Sequence, residues 1–147
     1  MTDLLRVEEA IERGKTILAL MGYELRDVTA KDLAEYMSAE TFAPDATTLE
    51  DLLVNDYLLI HELVEINEWK LRGYEIHGRL IVDSPRTLVY EIHYIALRKE
   101  LDYALVKGDR ERVEERLRDL EEDEYMPPEF KEIATRMLRK YRALSKP

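Results

Sequence analysis

His61, Glu62 and Glu65 fall within one five-residue stretch, and Glu68 continues the series. On a helix His61 and Glu65 stand one turn apart on one side, with Glu62 adjacent. An imidazole and carboxylates at this spacing are how helices present ligands to a metal ion. The string is not the His-Glu-x-x-His of zinc proteases, because Glu65 occupies the second histidine position. Carboxylate oxygens are hard donors and suit Mg²⁺ or Mn²⁺ better than zinc.

One helix cannot close such a site, so further ligands must come from a neighbour. If the segments flanking Asp83 and Ser84 form an antiparallel hairpin, Glu65 faces Glu100 and residues 61–63 face 102–104, give or take one turn. The metal set expected from this register is Glu62, Glu65, Glu100 and Asp102, with His61 at its edge. The same register sets His93 opposite Arg72, about 16 Å along the helix from His61 at 1.5 Å per residue. The three histidines are therefore not expected to share one ion.

Three short patterns resemble known families. Glu62-x-x-Glu65 resembles the first half of the carboxylate pattern of all-α nucleotide pyrophosphatases of the MazG type. The second half, Glu-x-x-Asp, does not follow before the charged segment that begins at Asp109. The resemblance implies a divalent-metal-dependent hydrolase of a nucleotide or other phosphate compound. Arg86-x6-His93, followed by Tyr94, resembles the Arg-x4–6-His motif of HEPN-type ribonucleases, which are also small and all-helical. Arg72-x4-His77 fits the same four-to-six range. Residues 28–37 resemble the first helix of a helix-turn-helix, but the segment that would enter DNA carries Glu50, Asp51 and Asp56 and no base. Such a segment is repelled by phosphates, which excludes DNA binding in that mode.

The elements that must position these residues read as helices. Leu4, Val7, Ile11, Gly14, Leu18 and Met21 share one helical face that stops at Gly22. Gly14 in that seam admits a close neighbour. Thr29 and Asp32 form a capping box ahead of Leu33, Tyr36 and Met37. The longest segment, about 49–69, is apolar over so much of its circumference that it is expected at the centre of the fold. Further helices run through Leu88, Ile92, Ile95, Leu101 and Leu105, then Val113, Leu117 and Leu120, and finally Phe130, Ile133, Met137 and Tyr141. Residues 74–95 also alternate well enough for a β-hairpin around Asp83-Ser84-Pro85, the minority alternative to helix. The expected fold is an all-α single domain over residues 1–147, a bundle of five to six helices.

Composition limits what the fold can do. The 147 residues contain no cysteine and no glutamine, Asn only at Asn55 and Asn67, and 37% charged residues. That composition is expected of a thermophile's cytoplasmic protein. The start Met1-Thr2-Asp3-Leu4 lacks a secretory signal pattern, and no apolar run suits a membrane span. Five scattered glycines and three serines provide neither a phosphate loop nor a nucleophile elbow. The net charge is −10, and residues 32–69 hold ten acids and no Lys or Arg. From Met126 the sign reverses, with Lys131, Arg136, Arg139, Lys140, Arg142 and Lys146 against Glu129 and Glu132. No basic patch serves nucleic acid. An acidic centre and a basic terminal helix favour a homo-oligomer or another protein as partner. The leading expectation is an oligomeric scaffold or interaction module without a cofactor. A Mg²⁺- or Mn²⁺-dependent hydrolase is the alternative, and a HEPN-like ribonuclease the second.

Overall fold

In the computed structural model, which describes residues 3–146, every regular element is helical. Side-chain caps set most of the starts. Asp3 accepts from Leu5 N to open α1 (Leu4–Leu20). Capping boxes open α2 (Ala30–Met37), from Thr29 and Asp32, and α3 (Leu49–Val54), from Thr48 and Asp51. Asn55 adopts an extended conformation and its side chain accepts from the backbone N–H groups of Tyr57 and Leu58. That cap divides the segment expected to be continuous over 49–69 and starts α4 (Asp56–Leu71). Next come the four-residue α5 (Leu80–Asp83) and the long α6 (Arg86–Val106). Asp109 caps α7 (Arg110–Glu122), and a single 3-10 turn leads into α8 (Lys131–Ser145).

The all-α expectation holds, with α5 and α6 in place of a hairpin. Eight α-helices lie among the described residues, more than the five to six counted from periodicity. The break at Asn55 and the short α5 account for the difference. None of the helices among the described residues is long and apolar enough to cross a membrane.

Helix α4 lies against α1, α2, α3 and α6, and α7 and α8 pack on the far side of α6. Two apolar clusters result. The first surrounds α4, where Leu59, Ile60, Leu63, Val64, Ile66 and Trp69 are fully covered. The second joins Tyr94, Leu97 and Leu101 of α6 to Val113 and Leu117 of α7 and to Met137 and Tyr141 of α8. The basic terminal helix is thus part of the chain's own core, and Arg142 pairs with Glu114 and Glu121 of α7. Backbone at Gly14 of α1 lies directly over α4, where any side chain would overlap Leu63 Cδ1. Leu63→Ala is expected to cost about 2–5 kcal/mol in urea unfolding, as buried leucines do. A loss below about 1 kcal/mol would mean that α4 is not the packing centre.

The α4–α6 pairing departs from the expected register. Helix α4 ends at Leu71 and α6 starts at Arg86, so the chain reverses over residues 72–85 instead of at Asp83-Ser84. The facing pairs shift by four to seven residues from the expected register, which slides α6 along α4 by between one and two turns. Glu65 consequently meets His93, and Glu100 meets His61.

Candidate metal centre

Each side chain of the centre is placed by helical periodicity. His61 and Glu65 occupy i and i+4 of α4, and His93 and Glu100 are two turns apart on α6. Arg112 and Arg116 lie at i and i+4 on α7, while α2 supplies Tyr36. Four helices therefore converge where α4 and α6 face each other.

Three possible ligand atoms surround one point. His61 Nε2 is 2.7 Å from Glu65 Oε2 and 3.2 Å from His93 Nδ1, and His93 Nδ1 is 3.0 Å from Glu65 Oε2. Ligands held at about 2.1 Å from an ion stand roughly 3.0 Å apart in an octahedron and 3.4 Å apart in a tetrahedron. The observed spacing approaches the octahedral one. The expected separation of the histidines along the helix is thus corrected by the register: His61 and His93 are in contact, their ring centroids 4.9 Å apart.

The atoms behind the ligands are also engaged. His61 Nδ1 is 2.9 Å from Glu100 Oε1, so this nitrogen carries the hydrogen and Nε2 is left to face the centre. Glu100 is completely buried, and its Oε2 receives Arg112 Nε at 3.1 Å and Nη2 at 2.8 Å. Arg116 Nε also lies 2.9 Å from Oε2, although its angle is too poor for a hydrogen bond. Glu65 Oε1 accepts from Tyr36 OH at 2.5 Å, and Tyr36 OH accepts from Trp69 Nε1 at 3.2 Å. Both free carboxylate and imidazole edges are thereby turned toward the same point.

Electrostatics follows this alternation of charge. Burial lowers the affinity of His61 for its proton, but the charges and hydrogen bonds of Glu65 and Glu100 raise its pKa to about 10. Burial raises Glu100, whereas the His61 hydrogen bond and the charges of His61, Arg116 and Arg112 bring it down to about 2. Burial likewise raises Glu65, and His61 and His93 hold it well below the usual carboxylate range. Glu62 lacks such partners: it makes no hydrogen bond or ion pair among the described residues. Burial and then the Glu65 charge push it up to about 8. Ionising Glu62 thus opposes folding increasingly from about pH 4.5 to about pH 8. Glu62→Gln is expected to stabilise the metal-free protein by about 1–3 kcal/mol at pH 8 and by much less at pH 4.5. Equal melting shifts at the two pH values would contradict that assignment.

A cavity of about 360 Å³ opens beside the centre, lined by His61, Glu62, Glu65, His93 and Arg116 and roofed by the 39–47 connection. A neighbouring cavity of about 400 Å³ shares His93, Arg116 and Asp123 with it. Among the residues expected from the sequence, His61, Glu65 and Glu100 come together and Glu62 lines the cavity. Asp102 does not join them: two residues from Glu100, it lies about 200° around α6 and faces α8, where Tyr141 OH donates to its Oδ1 at 2.8 Å. The Arg–His pairs are also divided: Arg86 lies over the Phe42 ring, Arg72 donates to Glu68, and His77 is exposed.

His93 was read as part of the Arg86-x6-His93 pattern and placed away from the ion, and Tyr36, Arg112 and Arg116 were not legible as site residues. The seven-residue interval between His93 and Glu100, two turns on one helix face, was the available signal for His93. Arg112 and Arg116 flank the apolar positions Val113 and Leu117, which places them at the border of the buried stripe. The chain matches no known protein family, no curated protein and no solved structure.

Proposed function

We propose that the protein is a divalent-metal-dependent hydrolase whose ion is held by His61 Nε2, Glu65 Oε2 and His93 Nδ1. The observation that carries this reading is the mutual spacing of these three atoms, 2.7–3.2 Å, beside an open cavity. Three protein ligands leave coordination positions for water and substrate, as catalytic centres require. Two imidazoles move the preference from Mg²⁺ toward Mn²⁺, Fe²⁺ or Zn²⁺.

His61 Nε2, Glu65 Oε2 and His93 Nδ1 would hold the ion, with the His61 Nε2 proton given up on binding, and the ion would supply Lewis acidity to a water beside it. Glu62, unpaired on the same cavity wall, is positioned to accept the water's proton. Glu100 keeps His61 in the tautomer that presents Nε2, and Tyr36 orients Glu65. Composition supports a thermophile's cytoplasm as the setting.

Calorimetric titration of chelator-treated protein tests the reading. Mn²⁺ or Zn²⁺ is expected to bind at one ion per chain, Mg²⁺ at least about tenfold more weakly. Binding should be lost in His93→Ala, whose half-exposed side chain can be removed with the fold intact. If none of these ions binds, the cluster is a buried ion-pair network and the scaffold reading, which requires no metal response, takes its place.

A further inference from the structure

We infer that the substrate of this centre carries a compact oxyanion, held by Arg116 beside the ion; the inference rests on the metal-dependent reading above. Arg116 lines both cavities, together with His93. Its guanidinium is incompletely used. Nη1 donates to Asp119 at 3.0 Å, buried Nε is taken up by its 2.9 Å ion pair with Glu100 Oε2, and Nη2 makes no hydrogen bond to a described residue. A guanidinium with spare donors at the wall of a cavity is suited to a carboxylate or phosphate group.

The charge balance points the same way. With a divalent ion in place, Glu65 as its one carboxylate ligand leaves a single positive charge at the ion itself, with Arg116 on the same cavity wall. An oxyanion bridging the open coordination positions and Arg116 offsets that excess, and bridging of this kind activates the attached carbon or phosphorus for attack by water. The surrounding wall sets the remaining character of the substrate. Asp45, Glu62 and Asp123 border the cavity, with Asp119, Glu122 and Glu124 around the neighbouring one. Extended polyanions are repelled by this ring, so the molecule bears one compact oxyanion on an otherwise neutral or cationic body.

Inorganic phosphate and acetate serve as probes, titrated into Mn²⁺-loaded and metal-free protein and followed by water-proton relaxation and calorimetry. At least one of them is expected to bind the loaded protein and displace coordinated water, with affinity at least about tenfold lower in the metal-free protein. A preference for phosphate identifies a phosphate ester, and a preference for acetate a carboxylate. Arg116→Gln is expected to weaken oxyanion binding by about tenfold or more while Mn²⁺ affinity changes by less than about threefold, since Arg112 still holds Glu100. Mn²⁺ binding with no effect of either probe, or an R116Q protein that binds them like the wild type, overturns this inference alone. Failure of Mn²⁺ to bind overturns the metal reading and this inference with it. The loaded and metal-free comparison uses the wild-type protein, so the outcome does not depend on the variant folding.

Discussion

Replacing Glu100 with Gln is expected to lower folding stability by about 3–5 kcal/mol, the largest effect of any single polar substitution in the chain. Glu100 is fully buried and receives charge from three directions, His61 on one oxygen and Arg112 and Arg116 at the other. Gln preserves the shape but leaves two guanidiniums and an imidazolium facing a neutral amide, with a donor NH₂ placed against other donors. The surface pair Arg136–Glu132 supplies the contrast: both side chains are largely exposed, and breaking it should leave the unfolding midpoint close to that of the wild type. Urea unfolding of both variants measures the difference. The same Glu100 variant is expected to bind Zn²⁺ about 10–100-fold more weakly, because His61 loses its orienting acceptor. A Glu100→Gln protein as stable as the wild type would show that the charge network is not what holds α4, α6 and α7 together.

Stability of the metal-free protein is expected to peak near pH 5 and to fall on both sides, for reasons that follow from four groups. His61 binds its proton more tightly when folded, with a pKa of about 10 against 6.5. Its contribution is complete below about pH 6.5 and is lost as pH rises through about 10. Glu100, held at about 2, contributes fully above about pH 4.5 and loses that contribution as pH falls toward 2; Glu65 acts in the same sense. Glu62, raised to about 8, adds a decline between about pH 4.5 and 8. A divalent ion competes with the His61 proton, so Zn²⁺ affinity should rise by up to about tenfold per pH unit as pH increases toward about 10 and level off above it. Thermal melts from acid to alkaline pH, with and without Zn²⁺, check both statements. An alkaline decline that Zn²⁺ does not relieve would remove His61 from the ligand set.

The amino-acid sequence by itself determined whatever depends on neighbours within one or two turns. Thr29 with Asp32 and Thr48 with Asp51 start their helices through reciprocal hydrogen bonds that involve no distant residue. The width of the apolar surface from Leu59 to Trp69 required burial on several sides, and Gly14 marked the close approach of α1 to that helix. His61 and Glu65 were readable as a pair for the same reason: four residues on a helix place them side by side whatever surrounds them. Only the tertiary structure decided which residues complete the centre. The partner of Glu65 depends on how much chain is consumed in reversing direction, and residues 72–85, with the four-residue α5 inside them, take up more than a turn at Asp83-Ser84 would. A slide of between one and two turns brings His93 to Glu65, while the angle of about 200° between Glu100 and Asp102 around α6 turns Asp102 to α8. Arg112 and Arg116 belong to a helix whose sequence is mostly charged, where a buried guanidinium and a solvated one are spelled alike. Their burial follows from the fully covered carboxylate of Glu100 across the α6–α7 interface, because a charge removed from water is stable only where opposite charges are removed with it.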